Sequence, residues 1–442
     1  MKQTLFMVAL TAIGVVGPFF EPVVGVAVYY LFAVLRPQFM WQWALPRGIE
    51  WSEYVAVATI LGALVHTVLR SRERSARRFS PTHLLVLLFA VWISVTYVTA
   101  ISPATAFPWW VDYLKIFVMF MVATLAIRSV NELRVLMIMT ALALGYIAYE
   151  INFMYVFQGY LGIFHNGYGG LDNNGAGLML AMGVPLCLAV WDMEQRWWRW
   201  IFAGLIPPIV HAVLMTYSRG AMLSLALAAP LMILRTRRRW QMIAGALAIA
   251  AILPVLAGRE IRDRFFSVQQ YEEDRSAQSR FESWQAAWHI ALDYPVFGAG
   301  IRNSPLLSKR YGADERGRVI HSQYLQVLAD GGFPALVLYL ALLASTWLGV
   351  RRTRRLARSG TRLEDRRAAG VARGVETAMA VFCIGALFLS LEVFELPWLL
   401  LMLGAQLPMI YEPAAEEPAP AAADFATRLW SQPRIELPAR AR

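Results

Sequence analysis

Long apolar runs separated by short arginine-bearing segments dominate this chain. Leu84–Ala100, Ile116–Ile127, Leu178–Val190, Ala221–Leu234 and Ile243–Ala257 are each largely uncharged. With their flanks they approach the ~20 residues an α-helix needs to cross the hydrocarbon of a bilayer. The pattern predicts helices near 53–69, 83–100, 111–127 and 133–158, then 174–191, 199–216, 219–234 and 240–257. A polar stretch over roughly 258–320 follows, and helices near 322–350, 372–391 and 396–411 complete the apolar part. Residues 4–35 admit two readings, because the Gly17-Pro18-Phe19-Phe20-Glu21-Pro22 break either separates two short spans or kinks one long one. One crossing there, the favoured reading, gives about twelve spans with both ends cytoplasmic.

The fold expected is therefore an all-α polytopic membrane protein with about twelve transmembrane helices and one large loop containing short helices. Its parts are the N-terminal transmembrane helices (1–257), the large loop on the outer face (258–320), the C-terminal transmembrane helices (321–411) and a disordered cytoplasmic tail (412–442). The tail is rich in Pro, Ala and Glu, a composition that cannot build a core. The apolar N-terminus runs on into further hydrophobic sequence, so the first segment is expected to remain as an anchor rather than be cleaved. No solenoid-type repeat is evident.

Composition agrees. Of 442 residues 58% are hydrophobic and only 16% charged, against about 25% charged in soluble domains. The net charge of +11 would suggest nucleic acid in a soluble protein. Here the arginines gather between apolar runs, at Arg70 to Arg78, Arg235 to Arg239 and Arg351 to Arg373. Such clusters mark the cytoplasmic side, so the charge reports topology and no nucleic-acid partner is expected. Alternation then puts 36–52, 101–110, 159–173, the Ser218–Arg219 turn and 258–320 outside. Cys187 and Cys383 fall in apolar runs and suggest no disulfide framework.

The 258–320 stretch carries Arg259, Arg262, Arg264, Arg275, Arg280, Arg302, Lys309, Arg310, Arg316 and Arg318, yet falls outside. Long loops translocate regardless of charge. So many cations suggest an anionic ligand, although anionic lipid headgroups account equally well for any single arginine.

Four short constellations lie at the outer face. Leu171-Asp172-Asn173-Asn174-Gly175-Ala176 opens a helix, where Asp and Asn either cap its N-terminus or face a ligand. Thr216-Tyr217-Ser218-Arg219-Gly220-Ala221 is a tight turn between spans. An arginine held there usually has an anionic partner, with snorkelling to headgroups as the plainer account. Arg280-Phe281-Glu282-Ser283-Trp284-Gln285-Ala286-Ala287-Trp288 leads to Asp293-Tyr294-Pro295-Val296-Phe297-Gly298-Ala299-Gly300. Phe281, Trp284 and Trp288 form an apolar stripe on a helix with Arg280 at its start, ended by Pro295 and the glycines. His321-Ser322-Gln323-Tyr324-Leu325-Gln326 opens the next span. A histidine there is either an ordinary interfacial residue or a base, since imidazole suits taking a proton from a hydroxyl near pH 7.

Together these four resemble the O-antigen ligase and polymerase superfamily of lipid-linked, GT-C-type glycosyltransferases. Asp172, Asn174 and Gly175-Ala176 resemble its D-x-N-x-x-A with the alanine shifted, and Ser218-Arg219-Gly220 its S-R-G. Arg280, Trp284, Pro295, Gly298 and Gly300 resemble R-x-x-x-W…P-x-x-G-x-G. His321 to Gln326, followed by Gly331-Gly332-Phe333, resembles H-[NS]-x-Y-L-Q, with Ser322 where Asn is common. Order, spacing and side agree over about 170–350. Leu35-Arg36-Pro37-Gln38 to Trp43 also looks like a subgroup of O-glycosylation ligases tied to exopolysaccharide systems.

The resemblance implies transfer of a polysaccharide from undecaprenyl diphosphate to an acceptor hydroxyl, a lipid A–core sugar for ligases proper. It places the enzyme in the bacterial inner membrane with its active site facing the periplasm, and membrane lipids around it. Arg219 and Arg280 are the expected diphosphate ligands, because guanidinium holds phosphate oxygens bidentately and stays protonated. His321 is the expected general base. A departing diphosphate needs no carboxylic acid to protonate it, unlike the leaving group of glycosidases, so direct inverting displacement is expected, with a retaining route through a His321 nucleophile as the alternative. Asp172, Asn174, Ser218 and Tyr324 are further binding candidates. So is Glu150, an intramembrane carboxylate beside Tyr149 and Asn152. Asp112 and Lys115 are spaced for a local helix pair. No cofactor and no metal are expected, since a solvated loop accounts for the acidic run Glu272-Glu273-Asp274. The alternatives are an O-antigen or exopolysaccharide polymerase, a protein O-oligosaccharyltransferase, or a transporter of lipid-linked glycan. The last would place ionisable residues and helix breaks near the midplane.

Overall fold

The computed structural model describes residues 2–46, 48–69, 79–256, 275–312, 320–391 and 393–413. The main helices are α1 (Lys2–Val16), α2 (Pro22–Leu35), α3 (Trp51–Leu69), α4 (Pro81–Val98), α5 (Pro103–Ala126), α6 (Val130–Gln158) and α7 (Asn173–Met193). They continue with α8 (Arg199–Met215), α9 (Arg219–Arg235), α10 (Arg239–Leu256), α11 (Arg275–Asp293), α12 (Gln323–Arg358), α13 (Leu363–Gly385) and α14 (Glu395–Ile410). No strand occurs among the described residues, only an isolated bridge between Tyr168 and Leu171. Nine helices among them are long and apolar enough to cross a membrane, and α8 and α14 are shorter apolar helices. The protein is a polytopic all-α membrane protein.

Local chemistry sets the helix starts. Proline, whose missing N–H costs nothing in the first turn, opens α2, α4 and α5. Ser129 and Glu132 form a capping box on α6, while Asp172 and Ser218 cap α7 and α9. Two helices make the centre. Every residue of α7 from Gly175 to Met193 is buried, and so is α13 from Ala368 to Phe382. The apolar circumference of α7 suits the inside of a bundle, and α13 is buried there with Arg373 and Glu376 held in ion pairs.

The N-terminal segment departs from the single crossing expected. It forms α1 and α2 as a hairpin, broken at the Gly17–Phe19 turn. The Phe19 carbonyl bonds His66 Nε2 near the end of α3 at 3.0 Å, and Thr4 Oγ1 donates to Ala44 O at 2.9 Å, beyond the other end of α3. The two helices therefore run antiparallel. Pro18 and Pro22 interrupt the ladder of hydrogen bonds, and each side of the break, 18 and 19 residues, is long enough to cross alone. The hairpin puts the start of α1 at the opposite end of the bundle from the Arg235–Arg239 and Arg351–Arg373 clusters.

Those clusters also differ from simple loops. The Arg351–Arg373 stretch is mostly helix, since α12 runs on to Arg358 and α13 begins at Leu363. Glu376, fully buried, pairs with Arg235 at 3.0 Å and Arg354 at 2.7 Å. Asp192 accepts from Thr236 Oγ1 at 2.6 Å and lies 3.6 Å from Arg373. This network ties together the C-terminal ends of α7, α9 and α12, and marks one end of the bundle. The Arg70–Arg78 cluster and the tail from residue 414 lie outside the described residues.

Candidate functional site at the helix starts

Three of the four motifs sit at the N-terminal ends of α7, α9 and α12, whose C-terminal ends carry the ion network, and so at the opposite end of the bundle; the Arg280 motif lies on α11, packed across the start of α12. Asp172 Oδ1 accepts from Gly175 N at 2.7 Å and its Oδ2 from Asn174 Nδ2 at 3.2 Å. The capping account is thus realised, with one carboxylate oxygen committed to the helix. Asn173, between them, donates to Thr216 O at 2.9 Å, which joins the first motif to the second. Tyr217 takes a left-handed φ of 53° and packs on Phe164. Ser218 is fully buried, and its hydroxyl accepts from Ala221 N at 3.3 Å. Ser218 therefore shapes the turn that presents Arg219, the half-buried first residue of α9.

In the third motif the helix starts before Arg280, at Arg275. The expected aromatic stripe is only partly inward. Phe281 and Trp288 are exposed, and the buried face is Ser283, Ala286, Ala287 and Ile290. Small residues allow α11 to lie close across the start of α12. Trp284 is the aromatic that turns in, and its Nε1 donates to the main-chain carbonyl of His321 at 3.0 Å. Arg280 is half-buried on the same helix. Tyr324 Oη donates to Cys383 O at 2.9 Å, fixing the first turn of α12 to α13.

All four motifs meet at residues 386–391, a segment expected to be the end of a helix. α13 instead stops at Gly385. Gln323 N donates to the carbonyls of Ala386 and Leu389 at 2.8 and 2.9 Å, and Gln323 Oε1 accepts from Leu391 N at 2.7 Å. These tertiary bonds replace the helical ones, which is why the pattern of apolar residues could not show the stop. A Cβ at Gly220 would lie 3.3 Å from Phe388 Cβ, and one at Gly175 3.0 Å from Leu391 Cδ2. The Trp284 ring centroid is 6.3 Å from that of Phe388. The segment therefore touches the Asp172, Arg219, Arg280 and His321 motifs at once.

A second device fixes His321. Gly298 to Ser304 folds against the Ala329–Phe333 kink of α12, with Ala299 N on Ala329 O at 2.8 Å and Gly300 N on Asp330 O at 2.9 Å. The buried Asp330 carboxylate accepts from Arg302 N (2.9 Å), Ser304 N (3.0 Å) and Gln326 Nε2 (2.7 Å). Gln326 Oε1 in turn accepts from Ile320 N at 3.1 Å, one residue before His321. Asp330 was not singled out from sequence. Its signal is there, a carboxylate seven residues into an apolar helix. Asp330→Ala strands two buried backbone donors at ~1–3 kcal/mol each, so thermal unfolding of the purified protein is expected at a clearly lower temperature, with Asp330→Asn intermediate.

Glu150 is not brought to these motifs by its hydrogen bond, which comes from Tyr146 Oη of its own helix at 2.7 Å. Asp112 lies 3.7 Å from Lys115, the local pair expected, and Lys115 also reaches Glu53 at 2.7 Å. Arg36 does reach the site region. It pairs with Glu395 at 3.0 Å, donates to Gly169 O just ahead of Asp172, and lies 5.1 Å over the Phe394 ring. Outside the membrane-spanning segments, Tyr311 donates to the Asp293 carboxylate, which holds its phenol up at about 12. No group of three or more His, Cys, Asp or Glu side chains able to hold a metal comes together among the described residues. Glu272–Asp274, Arg259, Arg262, Arg264, Arg316 and Arg318 lie outside them.

Residues 208–340 match the family model described as O-antigen ligase. This segment holds the Ser218–Gly220 turn, Arg280, the glycine fold and His321 together. This part of the chain is thus similar to the O-antigen ligase/polymerase superfamily. The O-antigen ligase family implies lipid-linked glycan substrates and membrane lipids. Residues 1–164 match a family of unknown function, which contains Arg36 and Glu150. No curated protein matches the chain.

Proposed function

We propose that this protein is an O-antigen ligase, transferring a polysaccharide from undecaprenyl diphosphate to a lipid A–core sugar hydroxyl at the periplasmic face of a bacterial inner membrane. The observation that carries the reading is the convergence of the Arg219 turn, the Arg280 helix and the His321 loop on residues 386–391. Arg219 and Arg280 hold the diphosphate in charge-assisted bonds. His321 takes the proton of the acceptor hydroxyl as its oxygen attacks the anomeric carbon and the sugar–phosphate bond breaks. The electron pair leaves with the lipid diphosphate, whose charge the arginines balance, and the anomeric centre inverts. Asp172, Ser218 and Tyr324 act by positioning, Asn174 lines the approach, and the active domain comprises the large loop between the transmembrane parts.

The reaction is tested with purified protein in nanodiscs, lipid-linked glycan and lipid A–core, scored by gel shift. Glycan on lipid A–core supports the ligase, and longer glycan on the donor lipid would make it a polymerase instead. Arg219→Lys keeps the charge but loses the fork, so transfer is expected to fall by roughly 10- to 100-fold, about 1.4–2.7 kcal/mol of transition-state stabilisation. Chelator is expected to leave turnover unchanged. Loss that Mg²⁺ restores would show that a metal shares the diphosphate.

A further inference from the structure

A cavity of about 540 Å³ opens among α2, α3 and α5, walled almost wholly by the N-terminal segment of unknown family function. Volumes of this size accommodate small-molecule ligands. Its two ends differ. At the site end of the bundle its lining includes Arg36, Glu50, Glu53, Asp112, Lys115 and Glu395. Deeper, Tyr29, Phe32, Ile60 and Met119 make it apolar, and from Glu53 to Ile60 the wall descends about two helical turns, roughly 10 Å. Val57 and Val118, also on its wall, are 57% and 44% exposed, so the cavity is open sideways where the bilayer lies.

The charges select the head group. Four carboxylates face two cations, and both cations are engaged, Lys115 by Glu53 at 2.7 Å and Arg36 by Glu395 at 3.0 Å. A phosphate here would meet excess negative charge and have to displace those pairs. Sugar hydroxyls instead donate to carboxylates and suffer no repulsion. We propose that this cavity binds a glycolipid with an uncharged saccharide head, the sugar at the charged mouth and the alkyl chain in the apolar throat. It is a second ligand site, separate from the arginine site for diphosphate. Arg36 links the two, since its partners Gly169 and Glu395 flank the Asp172 motif and the 386–394 segment. The site does not depend on the proposed transfer reaction. Binding is read without turnover, so its failure would leave that reaction standing.

The test uses the full chain in phosphatidylcholine nanodiscs and an alkyl glucoside with a diazirine in its chain, with labelled peptides mapped after irradiation. Label is expected on the α3 and α5 peptides carrying Val57 and Val118, removed by excess decyl glucoside and unaffected by equal decyl phosphate. Ala56→Trp, which fills the cavity, is expected to cut this label about tenfold, the effect of ~1.4 kcal/mol. Glu50→Lys, at an exposed mouth position that leaves the packing alone, is expected to weaken glucoside competition and let decyl phosphate compete. Label spread evenly over lipid-facing helices and indifferent to both variants would overturn the proposal, as would better competition by decyl phosphate in the unaltered protein.

Discussion

His321→Ala is expected to remove glycan transfer while leaving the protein folded. A positioned base contributes ~10²–10⁴-fold to such a step, and the acceptor hydroxyl has no other base assigned to it. The structure explains why folding should survive. Trp284 bonds the main-chain carbonyl of His321, and Gln326 holds the neighbouring Ile320 N–H, so the loop is anchored by groups that alanine retains. The check is the gel-shift assay beside thermal unfolding of the same preparation. A folded variant retaining full transfer would remove His321 from the mechanism. Loss of fold together with activity would show instead that the ring is part of the scaffold.

Gly298→Ala should have the opposite signature, loss of stability and activity together. Gly298 has φ +65°, and a Cβ there would lie 2.4 Å from the Asp330 carbonyl carbon and 2.5 Å from Gly331 N. Left-handed backbone costs a non-glycine residue ~1–2 kcal/mol, and overpacking against main chain that cannot move aside adds ~1–3 kcal/mol. The expected loss is therefore on the order of 3 kcal/mol, centred on the contact that holds Asp330 and, through Gln326, the approach to His321. Gly332 is in the same position, with φ +73° and Val296 O 2.2 Å from a built Cβ. Gly312→Ala provides the contrast. Its φ is +79°, but nothing lies within 4 Å, so only the backbone preference is lost and transfer should be kept. Equal unfolding temperatures for the Gly298 and Gly312 variants would show that the fold of 298–304 on α12 is looser than described.

Much of this protein was legible in its sequence. Apolar run length fixes helix identity, because a bilayer forces each span to satisfy its own backbone, and α4, α7, α8 and α9 fall within a few residues of expectation. The motifs that the structure brings together were visible as short patterns as well, most plainly where a helix-start residue adjoins a group of distinct chemistry, as in Ser218-Arg219-Gly220. Two misplacements have a common cause. The 4–35 segment and the end of α13 depend on competition between local and tertiary hydrogen bonds. Proline marks a break without saying whether the chain turns back, and Ala386–Leu391 reads as apolar helix until Gln323 takes its carbonyls. The Trp288 and Phe281 positions failed differently. Their spacing is helical, but small residues pack closer, so alanines rather than rings took the buried face of α11.

The sequence by itself determined the membrane-embedded helical architecture, the family resemblance carried by residues 208–340 and the residue types available for chemistry, because these rest on composition and short-range spacing. Only the tertiary structure decided that residues 386–391 join four distant motifs, that Asp330 and Gln326 anchor the His321 loop, and that α2, α3 and α5 enclose a cavity with a carboxylate-rich mouth. Each of those depends on groups far apart along the chain, and no local pattern encodes which distant partner will satisfy a buried hydrogen bond or leave a space unfilled.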